Sequence, residues 1–425
     1  MTYKEALDFL YSQLPMYQRV GKSAYKKDLS NTIHLCKHLN HPERKFKSIH
    51  IAGTNGKGTT SHILASIFQE AGYTTGLYTS PHLKSFTERI KINGIDINEE
   101  FITDFVARIK TEISNIQPSF FEITVAMAFD YFAIQNVDIA IIETGLGGRL
   151  DSTNVIEPEL SVITNIALDH QEMLGNTIKE IAGEKGGIIK ENVPVVFGLM
   201  PDEAKDELVE IATRKNAKMN LCFSDYQIER ADSFFNVHKN GKLVSQNMKS
   251  GIQGDYLKKI IPHVLESVNE INNLKFTISK KHIELGFKNI ISNTSLKGRW
   301  QVLDIKPFII CDIAHNEDGI SQVLEQIMQL KFEKLHFVFG TVDDKMLDNI
   351  LSILPKEASY YFCAAAVPRA LEVNTLQEKC KQNSLNGDSY ESVNIALENA
   401  KTNASKNDLI FIGGSTFVVA EIENL

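Results

Sequence analysis

Residues 48–71 constrain the fold more than any other stretch. Ser48-Ile-His-Ile-Ala52 is a short apolar run of strand length. Ala52-Gly-Thr-Asn-Gly-Lys-Gly-Thr-Thr60 follows, and 59–71 then carries Ile63, Leu64, Ile67 and Phe68 at helical spacing. A strand, a glycine-rich turn and a helix in this order start an open α/β sheet. The same alternation continues. Strands are expected over 75–79, 138–143, 160–165 and 193–197, and helices over 99–111, 122–135 and 177–189. Arg89–Ile97 alternates around Asn93-Gly94, a two-residue hairpin signal. The pattern predicts a mostly parallel sheet with helices on both faces.

Residues 200–295 are less regular, with a polar hairpin expected over 235–244. A second α/β unit is expected after the polar segment 292–298, with strands over 308–313, 335–339, 359–363 and 409–412. The fold class is therefore α/β: a P-loop-containing, mostly parallel sheet domain over 1–294, and a smaller C-terminal Rossmann-like α/β domain over 295–425.

With 425 residues, 43% apolar and a net charge of −8, the chain is long enough for two cores and shows no disorder signature. Lacking a long basic run, it is not expected to bind nucleic acid. No apolar stretch reaches membrane-spanning length and the N-terminus has no signal-peptide core, so no membrane association is expected. Five scattered cysteines without a CxxC pair read as free thiols. A cytoplasmic monomer is expected.

Several segments carry chemistry. In the 52–60 turn, glycines let backbone N–H groups face phosphate oxygens at a helix N-terminus. Lys57 can reach the β/γ-phosphates, and a Thr59 or Thr60 hydroxyl can bind Mg²⁺. Glu143 ends an apolar strand before Gly145–Gly148, where a carboxylate suits Mg²⁺. Asp169-His170 follows another strand end, although His170 alone serves equally as a loop histidine. Glu184-Lys185 on a helix reads by default as a surface ion pair. Asp312 and His315 lie at a strand end of the second unit, and Arg299 suits a phosphate or ribose oxygen. His34, Cys36, His38 and His41 superficially suggest zinc, but an amphipathic helix explains them better. Gly413-Gly-Ser415 lacks the nucleophile-elbow pattern and reads as a helix-start turn.

Taken in order, these motifs resemble the folylpolyglutamate synthase/dihydrofolate synthase family of the Mur-ligase superfamily. The matching residues are Gly53–Thr59, Ser80-Pro-His-Leu83 with Glu88-Arg89, Phe121-Glu122, Glu143–Arg149, Leu168-Asp-His170, Glu184-Lys185, Gly298-Arg299, Asp312 with His315-Asn316, and Asp344-Lys345. The resemblance implies ATP-dependent ligation of L-glutamate to dihydropteroate or folylpolyglutamates through an acyl phosphate, with both synthase activities in one chain. It implies ATP contacts at Thr54, Asn55, Gly56, Lys57, Gly58, Thr59, Thr60, Arg299, Asp312 and His315. It implies Mg²⁺, at two sites, on Ser80, Glu143, His170 and Lys185, the lysine being carbamylated. It implies that Lys57, His170 and Lys185 carry the catalysis. It assigns pteroate or folate contacts to Asp28, Leu29, Ser119, Phe120, Phe121, Glu122, Leu150, Asp151 and Ser152. The sequence departs from the family at Leu257 and Ile260, where a Gln and a nucleotide-contacting Asn are usual. The rival readings are another Mur-type amino-acid ligase, a P-loop kinase or GTPase, and a non-catalytic nucleotide-binding paralogue.

Overall fold

The structure is a computed structural model that describes residues 1–14, 28–222, 225–231, 234–343 and 347–425. Asp344-Lys345 lies outside the described residues. The chain divides into two compact units, Met1–Gly251 with Leu257–Ser295, and Ile252–Tyr256 with Leu296–Leu425.

The first unit is built on eight strands: β1 (Lys47–Ala52), β2 (Thr75–Tyr78), β3 (Ile90–Ile92), β4 (Ile95–Asp96), β5 (Ile139–Glu143), β6 (Leu160–Ile163), β7 (Val195–Phe197) and β8 (Met219–Leu221). They are ordered β4-β3-β2-β5-β1-β6-β7-β8. Pairing is parallel from β2 to β8, and the β2–β3–β4 edge is antiparallel. Asn93 and Gly94 take φ of 48° and 76°, the turn that the Asn-Gly signal predicts.

Two helices are buried almost all round. In Lys57–Glu70 every side chain from Thr59 to Phe68 is buried, and Phe120–Ile134 is buried from Glu122 through Phe132. A helix buried on every face belongs inside a layered core rather than on a surface. Lys57–Glu70 packs against Lys280–Lys288 and Ile290–Thr294. Asn289 and Asn293 each donate to Glu70 Oε1 at 2.8 Å, which fixes that pairing.

The irregular region resolves into the helix Asp202–Arg214, a three-stranded antiparallel sheet and the helix Leu257–Asn272. The small sheet comprises β9 (Tyr226–Ala231), β10 (Phe234–Lys239) and β11 (Lys242–Lys249). Its central hairpin turns at Asn240-Gly241.

The second unit has six strands in the order β12-β13-β17-β14-β15-β16. They are β12 (Gln301–Ile305), β13 (Phe308–Cys311), β14 (Leu335–Phe339), β15 (Ser359–Cys363), β16 (Gly387–Tyr390) and β17 (Leu409–Gly413). All pairs are parallel except β12–β13. Ser415 caps the helix Thr416–Glu421 by accepting from Phe417 N, so Gly413-Gly-Ser415 is the helix-start turn expected. The five cysteines are free and buried. Among the described residues, no helix is long and apolar enough to cross a membrane.

Candidate active site

Register sets the site. In the parallel sheet Ile51 pairs with Glu143, and Ala52 pairs with Ile163. The segments leaving β1, β5 and β6 at their carboxyl ends therefore start side by side, where open α/β sheets bind ligands.

The glycine-rich turn is held from the β6 side. Thr164 Oγ1 donates to Asn55 O at 2.6 Å, and Asn165 Oδ1 accepts from Asn55 N at 2.7 Å. Thr54 N donates to Asn165 O at 3.0 Å. Thr54 Oγ1 donates to Ala167 O at 3.1 Å and accepts from Ala167 N at 3.0 Å. Two of the N–H groups expected to face phosphate, those of Thr54 and Asn55, are thus committed to the clamp. Gly56, at φ 83°, is the N-cap and offers no side-chain cap to the helix start. The N–H groups of the first turn and their partial positive charge remain for an anion. Thr164 and Asn165 escaped the sequence reading, because nothing in an Asn-Ile-Ala-Leu-Asp-His run marks its first residue as a clamp.

Two amines meet at this turn. Lys57 Nζ donates to Gly53 O at 2.9 Å and to Thr54 O at 3.0 Å. Lys185 Nζ donates to the same Gly53 O at 2.9 Å. The surface ion pair expected of Glu184-Lys185 is therefore corrected. Glu184 pairs with Arg149 at 2.7 Å, and Lys185 turns inward and is buried. Close backbone packing brings the helix Ile178–Gly186 in: a Cβ on Gly148 would lie 2.7 Å from Lys185 O, and one on Gly187 would lie 2.3 Å from Arg149 Cα. Burial first, and the Lys57 charge second, push the Lys185 amine down to about 7, against the opposing pull of Asp169 and Asp151.

Glu143 is buried, and its Oε2 accepts from Ser80 N at 3.1 Å. His170 is the N-cap of the short helix Gln171–Leu174 in a left-handed conformation, φ 47°. That conformation is costly for a side chain with a Cβ and is common at ligand sites. Its Nε2 lies 3.8 Å from Asp169 Oδ1.

Thr60 differs from the expectation for it. Its hydroxyl is fully buried and hydrogen-bonded to His263 Nε2 at 2.9 Å, so Thr59 is the better placed of the two threonines for a ligand. Burial holds His263 neutral, its pKa pushed down to about 3. Beside it Ile260 flanks the turn, and a Cβ on Gly56 would touch Ile260 Cδ1 at 3.6 Å. The helix face at Ile260 is thus dry packing. Replacing His263 with Leu strands the Thr60 hydroxyl, and urea unfolding should show a loss of about 1–3 kcal/mol, with Gln recovering part of it.

The expected substrate residues divide. Phe121 lies against the loop after β5, since a Cβ on Gly145 would lie 2.4 Å from Phe121 Cζ. Phe120 is core, stacked on Tyr11 at 5.5 Å and edge-on to Phe86. Ser119 and Glu122 form a capping box, and Glu122 also accepts from Asn31 at 3.3 Å. The Asp151 carboxylate accepts from the N–H groups of Gly145, Leu146 and Thr153, so it shapes the loop. Ser152 is buried in the 3-10 turn that follows, while Leu150 is half-buried. Asp28 accepts from Ser30 N, and Leu29 starts the helix Ser30–His38. On that helix His34 and His38 both turn to Glu112, at 2.7 and 3.8 Å, while His41 pairs with Glu43.

In the second unit Asp312 is buried and accepts from Trp300 N at 2.7 Å and from Ala314 N at 2.9 Å. Burial raises its pKa and the Arg299 charge opposes that rise. His315 is exposed, its Nδ1 3.0 Å from Ile313 O.

This is the architecture of a Mur-type ligase. Residues 51–257 match the Mur ligase middle domain, and 298–416 match the Mur ligase glutamate ligase domain. The chain is 32% identical to the dihydrofolate synthase/folylpolyglutamate synthase of Bacillus subtilis, across 99% of this chain and 98% of that protein. It belongs to the dihydrofolate synthase/folylpolyglutamate synthase family. Among solved structures, Escherichia coli FolC in complex with DHPP and ADP superimposes with a TM-score of 0.86 at 26% identity, covering 99% of this chain and 97% of that one. A bifunctional folylpolyglutamate synthase/dihydrofolate synthase with Mn, AMPPNP and L-glutamate bound gives 0.85 at 25% identity, with the same coverage of both chains.

Proposed function

We propose that this chain is an ATP-dependent ligase of folate metabolism that joins L-glutamate to dihydropteroate and to folylpolyglutamates. The observation that carries the reading is the meeting of Lys57 and Lys185 on the Gly53 carbonyl, beside the strand end that bears Glu143. The ligands named for the two FolC-type structures, DHPP, ADP or AMPPNP, Mn and L-glutamate, support this reading.

The substrate carboxylate attacks the γ-phosphorus of ATP, which gives an acyl phosphate and ADP. The glutamate amine then attacks the acyl carbon, and inorganic phosphate leaves. The first step brings two anions together. Lys57 and the open N–H groups at the start of Lys57–Glu70 offset that repulsion. Lys57 leaves its two carbonyls to do so. Phe121 and the Gly145 loop form a wall for the pteroate ring. Arg299 and Asp312 contact the nucleotide, with His315 beside them.

Mg²⁺ fits the donors present. Glu143 and the Ser80 hydroxyl are hard oxygen donors, brought together by the Ser80 N–H bond to Glu143. Among the described residues no three His, Cys, Asp or Glu side chains gather as a cation site. Mg²⁺ usually completes its shell with phosphate and water, so one carboxylate suffices. When bound, the ion neutralises charge on the phosphates. His170 and a carbamylated Lys185 would hold a second ion. Carbamylation joins the neutral amine to CO₂ with loss of a proton and converts a cation into an oxygen donor.

The test is a pair of assays on purified protein with ATP, Mg²⁺ and L-glutamate, one with dihydropteroate and one with tetrahydrofolate. Substrate-dependent ADP release is expected in both. Release in one alone removes the bifunctional reading, and release in neither removes the ligase.

A further inference from the structure

Among the described residues, the second unit leaves two buried side-chain polar groups unpaired. Tyr256 Oη and Arg299 Nη1 are both shielded from solvent without a hydrogen-bond partner. They share one neighbourhood. The Tyr256 phenol senses the Asp312 carboxylate and the Arg299 guanidinium, and its ring packs on the core cluster that contains Trp300, the residue next to Arg299. A buried donor without a partner is costly, and in a ligand-binding protein it marks a place where a ligand completes the bonding.

The position of Tyr256 is fixed from both sides. Asp255 N donates to Gln326 Oε1 at 2.6 Å, and Gln326 Nε2 donates to Gln253 O at 3.0 Å. The buried Gln326 amide thus ties down the residues flanking Gly254. A Cβ on Gly254 would lie 1.8 Å from Tyr256 Cε1, so the absence of a side chain at 254 lets the ring fold back over the backbone. Asp312, held by the Trp300 and Ala314 N–H groups, keeps lone pairs in reserve. The cluster therefore offers a phenol, a guanidinium and a carboxylate, which together can both donate to and accept from a ligand.

We propose that Tyr256 is a nucleotide-contacting residue, its hydroxyl hydrogen-bonding an oxygen of the bound ATP beside Arg299. This rests on the reading above that Arg299 and Asp312 contact the nucleotide. The oxygen belongs to the ribose or to a phosphate, and the experiment separates the two.

The protein and its Tyr256→Phe and Arg299→Ala variants are titrated with ADP by calorimetry and melted with and without ADP. Tyr256→Phe deletes an unpaired buried hydroxyl, so its ligand-free Tm should equal or exceed that of the wild type. Its ADP affinity should fall about 3- to 10-fold, the range for one hydrogen bond, and its ADP-induced Tm shift should shrink. A residue of purely structural importance would lower the ligand-free Tm instead, and that result overturns the proposal. Wild-type ADP affinity in Tyr256→Phe with weakened binding in Arg299→Ala overturns the Tyr256 contact alone. Unchanged binding in both overturns the nucleotide reading of this cluster, and the contact with it. With 2′,3′-dideoxy-ADP, a vanished Tyr256→Phe penalty supports the contact at the ribose, and a persistent one supports it at a phosphate.

Discussion

Lys57→Ala should lower substrate-dependent ADP release by about 10³-fold or more, the scale set by loss of a cation that stabilises phosphoryl transfer. The lysine rests on two carbonyls of its own turn, so its removal strands no buried acid. The clamp from Thr164, Asn165 and Ala167 does not involve its side chain. The variant should therefore keep a wild-type circular dichroism spectrum and melt within a few degrees of the parent. Turnover within tenfold of wild type would remove Lys57 from the reaction. A second consequence is electrostatic. The Lys57 charge is one of the two influences holding the Lys185 amine down, so Lys57→Ala should move that amine upward.

Lys185 should make the enzyme sensitive to pH on its alkaline-rising side. Its amine has been pushed down to about 7, mainly by burial. CO₂ adds to the neutral amine, so carbamate content should rise as pH goes from about 6 to 8, and activity with it. Carbon-13 NMR of protein equilibrated with labelled bicarbonate reports the carbamate directly. Lys185→Ala should lack the resonance and lose about 10²-fold or more in turnover, as for a group that helps offset charge in the transition state. The folding consequence has a definite sign. An unfolded lysine keeps its proton up to its ordinary value of 10.5, whereas the folded, unmodified one loses it near 7. Between these values the unfolded state holds more protons, so stability contributed by this group rises with pH through that window. It is lost as pH falls through about 7. Urea unfolding without bicarbonate should show this slope in the wild type and not in Lys185→Met. A carbamate resonance and turnover that are both flat with pH would contradict the assignment.

Much of the first unit was legible because its signals are local. Apolar runs of strand length, Asn93-Gly94 and the glycine-rich turn each specify their own backbone. Strands β14 and β15 fall where the sequence places them. The misses are places where tertiary packing decides. β16 reads Gly-Asp-Ser-Tyr, without an apolar pattern, and is a strand through pairing with β15. Helix Lys57–Glu70 begins two residues earlier than its apolar spacing suggests, because the spacing marks the buried face and not the N-cap at Gly56. The inward turn of Lys185 depends on glycines 148 and 187 allowing backbone to approach backbone. The Thr60–His263 bond joins residues 203 positions apart, which no local pattern reveals. Asp151 and Glu122 show the converse. Both stand in segments that resemble substrate sites, yet their carboxylates also organise the backbone around them.

On the proposed reading, a substrate carboxylate is activated by taking the γ-phosphoryl group of ATP at the Lys57 turn. The most direct measurement uses dihydropteroate labelled with oxygen-18 in its carboxylate, incubated with the protein, ATP, Mg²⁺ and L-glutamate. One labelled oxygen should appear in the inorganic phosphate for each amide bond formed. Product formation with unlabelled phosphate would contradict the account.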